Sequence, residues 1–177
     1  MTVSGQSAPI QDGPSQSCEI PVYGPSPQDP TRSTLQTAQA TWFPTTDGEV
    51  LVRIELPAGD IASAGHDLFY TLLGMRSDLH DHGWKLLVNA SRRNVWGSTR
   101  QFPCHVDQVR VYPAFGCPAE PYSLHALALP DDLSEIGGAS VDEQLLWRKE
   151  WAGKVAPGEL SWTEYDRERR ALRERET

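Results

Sequence analysis

The chain has 177 residues, of which 38% are hydrophobic, with 14 glycines, 14 prolines and a formal net charge of -8. That length fits one domain with tails and suffices for a buried core. An acidic chain is a poor general binder of nucleic acid, which demands clustered Lys and Arg, and no apolar run approaches the roughly 20 residues that span a bilayer.

Residues 1–38 are rich in Ser, Gln, Pro and Thr, as in GPSQS and YGPSPQDPTRST. Such segments offer too little apolar surface to offset their ordering entropy, so a disordered tail is expected. Ile20, Val22 and Tyr23 read as a stray apolar cluster within it. The start MTVSGQSAPIQDG has neither the basic residues nor the apolar stretch of a secretory signal. The three cysteines, Cys18, Cys104 and Cys117, are an odd number. Both features fit reduced thiols and a cytoplasmic location.

An α+β core domain is expected over 39–135. TWFPTT, then Asp47-Gly48, then EVLVRIEL form a hairpin signal, because Asp-Gly suits the positive φ of a tight turn. Val50, Val52, Ile54 and Leu56 alternate with Leu51, Arg53 and Glu55, the period of a half-buried strand. Pro44 marks the first arm as short or at an edge. Pro57-Ala58-Gly59-Asp60 ends the second.

HDLFYTLLGMRSDLHDHG then predicts an amphipathic helix, with Leu68, Leu72, Met75 and Leu79 in register and Phe69 and Leu73 widening the stripe. Asp67 favours its start, His80 and His82 suit its C-terminal end, and Gly83 is placed for a left-handed cap. Trp84–Asn89 reads as a central strand from its continuous Leu86, Leu87 and Val88. QVRVYPAF and YSLHALAL are two further strand candidates.

In the C-terminal helical segment, 136–177, Ser140 with Glu143 and Ser161 with Glu164 make two capping boxes. The expected architecture is an antiparallel or mixed sheet of about five strands, one long helix packed on a face, and C-terminal helices.

The loop SRRNVWGSTR is the preferred contact surface. Arg92, Arg93 and Arg100 supply guanidinium groups that grip carboxylate or phosphate. Asn89, Ser91 and Ser98 complete a donor set, and Trp96 adds a flat face. The tryptophan-bearing helices, with Trp147, Trp151 and Trp162, come second.

No metal is expected: His80-Asp81-His82, Cys104-His105 and Cys117 lack the paired spacing of structural zinc sites. Cys104 and His105 are strand neighbours that point apart, and no nucleophile elbow surrounds Ser98 or any other serine. Asp78/Asp81 and Asp131/Asp132 read as caps and turns. No cofactor motif is present. The expected function is therefore a non-catalytic protein-binding module, an inhibitor, immunity-type protein or accessory factor with a basic partner. The alternative is an enzyme or small-ligand protein that clamps an anionic group at Arg92–Arg100.

Overall fold

A computed structural model describes residues 13–97, 107–112, 119–120, 123–133, 136 and 140–152. The fold is α+β. Its main sheet contains β1 (Gln16–Pro25), β2 (Ser33–Pro44), β3 (Val50–Leu56), β4 (Gly59–Gly65) and β5 (Lys85–Leu86). Their order is β4-β3-β2-β1-β5, and every pairing is antiparallel. A second sheet, β6-β7-β8, joins Val95–Gly97, Gln108–Val111 and Ser123–His125. Helices α1 (Leu68–Asp81) and α2 (Val141–Ala152) complete the described fold.

The expected tail does not hold beyond residue 15, since β1 and β2 occupy most of 16–38 and pair along ten residues. Ile20 and Val22 are fully buried rather than stray. Local composition misleads here because the two strands carry small and polar residues on their outer face. On the inner face Ile20, Val22, Ala38, Ala40 and Trp42 meet Val50, Val52 and Ile54 in one core. Pro44 is tolerated in a long strand because it closes β2, beyond the last paired residue of β1. Residues 1–12 lie outside the described residues.

The hairpin at Asp47-Gly48 forms, but not as a two-residue primed turn, since only Gly48 takes positive φ, 75°. The Gly48 N–H donates to the Thr45 carbonyl at 3.0 Å, and the Thr45 N–H donates to that of Glu49 at 2.8 Å across a three-residue loop. The next connection differs from expectation. Pro57-Ala58 is itself a hairpin turn that leads into β4, with Gly59 at φ 128° absorbing the bend.

Helix α1 has fourteen residues. Asp67 caps it by accepting from the Tyr70 N–H at 2.8 Å. It ends in a Schellman motif: Gly83, at φ 78°, donates to the His80 carbonyl, and the Trp84 N–H donates to that of Leu79. Leu68, Phe69, Leu72, Met75 and Leu79 face the core.

The segment after α1 is not a central strand. β5 has two residues and pairs with β1 at the sheet's edge. Its apolar run is buried for another reason. The chain leaves the sheet at once, and Asn89 and Ala90 donate to the carbonyls of Ala128 and Ala126, both at 2.9 Å. The predicted strands QVRVYPAF and YSLHALAL appear as short β7 and β8, in the second sheet.

Helix α2 starts on its capping box: Ser140 N–H donates to Glu143 Oε2 at 2.7 Å, and Glu143 N–H to Ser140 Oγ at 3.1 Å. Trp147 and Trp151 join the core. The second capping box, Ser161 and Glu164, lies outside the described residues, as does Trp162. Among the described residues no helix is long and apolar enough to cross a membrane.

Candidate functional site

The donor-rich segment begins as a 3-10 turn, Asn89–Ser91, and continues through an Arg92–Asn94 bend into β6. Asn89, Ser91 and Trp96 are buried, Arg92 is 7% exposed, and Arg93 points to solvent. Ser98 and Arg100 lie outside the described residues. The structure therefore brings Asn89, Ser91, Arg92 and Trp96 together as interior groups. Arg93 alone of the described set stands clear.

Trp96 is a core residue. Its Nε1 donates to the Tyr70 hydroxyl at 3.2 Å, and its ring lies 5.1 Å from that of Phe69. Asn89 Nδ2 donates to the His125 carbonyl at 3.2 Å. Asn89 Oδ1 and Ser91 Oγ are buried and have no hydrogen-bond partner among the described residues. Polar atoms left in this state ordinarily have water or a ligand beside them.

Two buried side chains from distant elements hold the turn from inside. Arg76 of α1 donates to the Ala90 carbonyl at 3.0 Å, to that of Ser91 at 3.4 Å and to Gln144 Oε1. Gln144 of α2, fully buried, sends its Nε2 toward the carbonyls of Ala90, Arg92 and Val95 at 3.2, 2.9 and 2.9 Å. Burial pulls Arg76 down to about 10, so it stays charged at neutral pH. Arg148 is buried nearby, its guanidinium 4.3 Å from the Trp151 ring centre and 4.7 Å from that of Tyr112. The sequence signal for these three is a long polar residue on an otherwise apolar helical stripe. Arg76 lies four after Leu72, and Gln144 three before Trp147.

Among the described residues two histidine–carboxylate pairs occur elsewhere. His66 Nε2 lies 2.8 Å from Asp67 Oδ2, and His125 Nε2 lies 3.4 Å from Asp107 Oδ2. Each is structurally occupied. Asp67 also caps α1, and His125 Nδ1 accepts from the Leu127 N–H at 3.2 Å, which leaves the proton on Nε2, toward Asp107. Among the described residues no three His, Cys, Asp or Glu are grouped to hold a metal ion. His82 instead lies 2.8 Å from the Asp78 carbonyl at the helix end. Cys104, His105 and Cys117 are outside the described residues.

A second surface escapes sequence reading because it depends on strand register. Successive residues face opposite sides of a sheet, so the residues between the buried ones form the outer face. Across it, Glu19 lies opposite Gln39, Gln39 opposite Glu55, and Glu55 opposite Asp60. This acidic row is offset by Arg53, which pairs with Asp60 and lies 4.0 Å from Glu55. Nearer the β1–β2 connection, Tyr23 is flanked by Leu35 on one side and Lys85 on the other. Tyr23 is 42% exposed and Leu35 63%. The chain matches no protein-family profile, and a search of the curated proteins finds no match.

Proposed function

We propose that the protein acts without catalysis, by binding a basic protein across the outer face of the five-stranded sheet. An inhibitor, an immunity-type protein or an accessory factor would work in this way. The observation that carries the reading is the acidic row of Glu19, Glu55 and Asp60 beside the exposed Tyr23–Leu35 pair. Aromatic residues are enriched in interface hot spots, and the row keeps an acidic excess over Arg53 that steers a basic partner. The overall charge of -8 acts in the same direction.

The test is purification of the full chain from its own cell, with identification of what accompanies it. A stoichiometric basic protein, lost from a folded Glu19→Lys/Glu55→Lys variant, is the expected result. A companion retained by that variant would overturn the surface, and a chain that arrives alone would overturn the reading.

A second reading places an anionic ligand at the Arg92–Arg100 segment, as substrate or effector. Its support is the pair of buried atoms Asn89 Oδ1 and Ser91 Oγ next to Arg92, which have no hydrogen-bond partner among the described residues. Thermal-shift titration with inorganic phosphate and small carboxylates tests it, with Ser91→Ala as control. No shift with any of them removes the reading. For this reading Arg93→Glu is the cleaner probe of the segment, because Arg93 is exposed while Arg92 is part of the interior.

A further inference from the structure

The two edges of the main sheet are built differently. β5 is two residues long and carries Lys85, both recognised defences against edge-to-edge pairing. β4 has seven residues, GDIASAG, with no lysine, no proline and no bulge: its register with β3 runs unbroken from Leu56 opposite Gly59 to Val50 opposite Gly65. Its one charged residue, Asp60, is turned to its own sheet by Arg53.

The direction of the free amides follows from the far side of the sheet. The Leu87 N–H donates to the Pro21 carbonyl at 2.9 Å, so Pro21 faces β5 and Val22 faces β2. In antiparallel ladders this alternation passes from strand to strand. Through Val22 opposite Gln36, Gln39 opposite Glu55, and Ile54 opposite Ile61, it leaves the N–H and C=O groups of Asp60, Ala62 and Ala64 pointing outward. None of the three has another backbone bond among the described residues.

We propose that β4 is a self-association edge, at which two copies pair antiparallel about a two-fold axis through Ala62 and join their sheets into one. In that register Ala62 lies opposite Ala62 of the second copy, and Asp60 opposite Ala64. Outward-facing groups meet outward-facing groups, no like charges are opposed, and the outer-face side chains at the junction are the methyl groups of Ala62 and Ala64, with each Asp60 set against a methyl group. The self-complementary patch is what a two-fold interface requires. The acidic row would then continue from one sheet into the other, through the two Asp60 residues.

The experiment is sedimentation or light scattering on the full chain across the micromolar range, with two variants. Wild type is expected to reach twice the chain mass with rising concentration. Ala62→Lys and Ala62→Glu should each remain monomeric, because the axis would set two like charges against each other. An equimolar mixture of the two should recover the doubled mass. Ala62 is exposed, and circular dichroism of each variant verifies that the fold is kept. Wild type that stays monomeric throughout overturns the proposal. So does a dimer indifferent to Ala62→Lys, which would be formed elsewhere, for example through the exposed Leu145 and Leu146 of α2. Failure of the mixture to recover the dimer overturns the Ala62-centred register. Loss of a basic partner in the earlier experiment is read on different variants, so the two proposals fail separately.

Discussion

Arg76 and Gln144 meet beneath the 90–95 turn, where the guanidinium donates to the amide oxygen and both side chains donate to the Ala90 carbonyl. Both are buried, and between them they reach four backbone carbonyls, those of Ala90, Ser91, Arg92 and Val95, along the path from the 3-10 turn into β6. A turn made of polar residues can therefore lie inside the protein.

Gln144→Leu fills the same volume but removes the donor to the Arg92 and Val95 carbonyls. The Arg92 carbonyl keeps the Val95 N–H at 3.3 Å, but the Val95 carbonyl and the Arg76 guanidinium each lose a partner. An unmet buried group costs about 1–3 kcal/mol, so a loss of roughly 2–4 kcal/mol is expected. Gln144→Glu keeps an oxygen for Arg76 yet turns a second acceptor toward those carbonyls, and should also destabilise. Urea unfolding followed by tryptophan fluorescence measures both. A Glu variant as stable as wild type would show that the ion pair outweighs the carbonyl bonds.

The buried guanidinium also sets a pH signature. Burial disfavours the Arg76 charge and pulls its pKa down from the ordinary value to about 10 in the folded chain. Below pH 10 both folded and unfolded chains hold the proton, so Arg76 contributes no slope to stability between pH 6 and 9. Stability from this group rises only above pH 10, as the folded state releases its proton first. Arg76→Lys brings the same burial to a group of lower intrinsic pKa, and should introduce a rise in stability with pH within that window. Urea midpoints at pH 6, 7.5 and 9 for the two proteins give the comparison. A flat Lys variant would mean that water reaches the site.

Gly24 and Trp84 form a second close fit. A Cβ on Gly24 would lie 2.2 Å from Trp84 Cε3, and Trp84 is buried directly after the Schellman stop of α1. Gly24→Ala must displace the indole, and overpacking of this kind costs typically 1–3 kcal/mol. A lowered melting temperature by calorimetry is expected. An unchanged one would mean that the β1 end and the α1–β5 connection can part without penalty.

Elements that rest on local chemistry were legible from the residues alone. Asp67, the Leu68–Leu79 stripe and Gly83 specify α1 from start to stop, and Ser140 with Glu143 starts α2. The Asp47-Gly48 turn places β2 against β3. What escaped is what depends on distant pairing. β1 and β2 are strands because Ile20, Val22, Ala38 and Ala40 share one face in register, whereas their sequence is dominated by Ser, Thr, Gln and Pro. β5 looked central because burial and strand centrality give the same apolar run. The Arg–Trp segment looked like a surface because its residues are polar, and the side chains that draw it inward lie far along the chain in Arg76 and Gln144. The acidic row needs three strand registers before it exists at all.

The inward clamp on the 90–95 turn has a consequence for synthesis. Gln144 follows the carbonyls it satisfies by about fifty residues. During translation the Val95 carbonyl therefore waits for its side-chain donor until α2 has left the ribosome, while Arg76 precedes the Ala90 and Ser91 carbonyls that it serves. A nascent chain halted before Ser140 would contain both arms of its hairpins and both caps of α1, but neither Trp147 and Trp151 of the core nor the amide that fixes the path between Ala90 and Val95. A domain folds as a unit once its parts have emerged, and here one of the last contacts is a single amide near the end of the described chain.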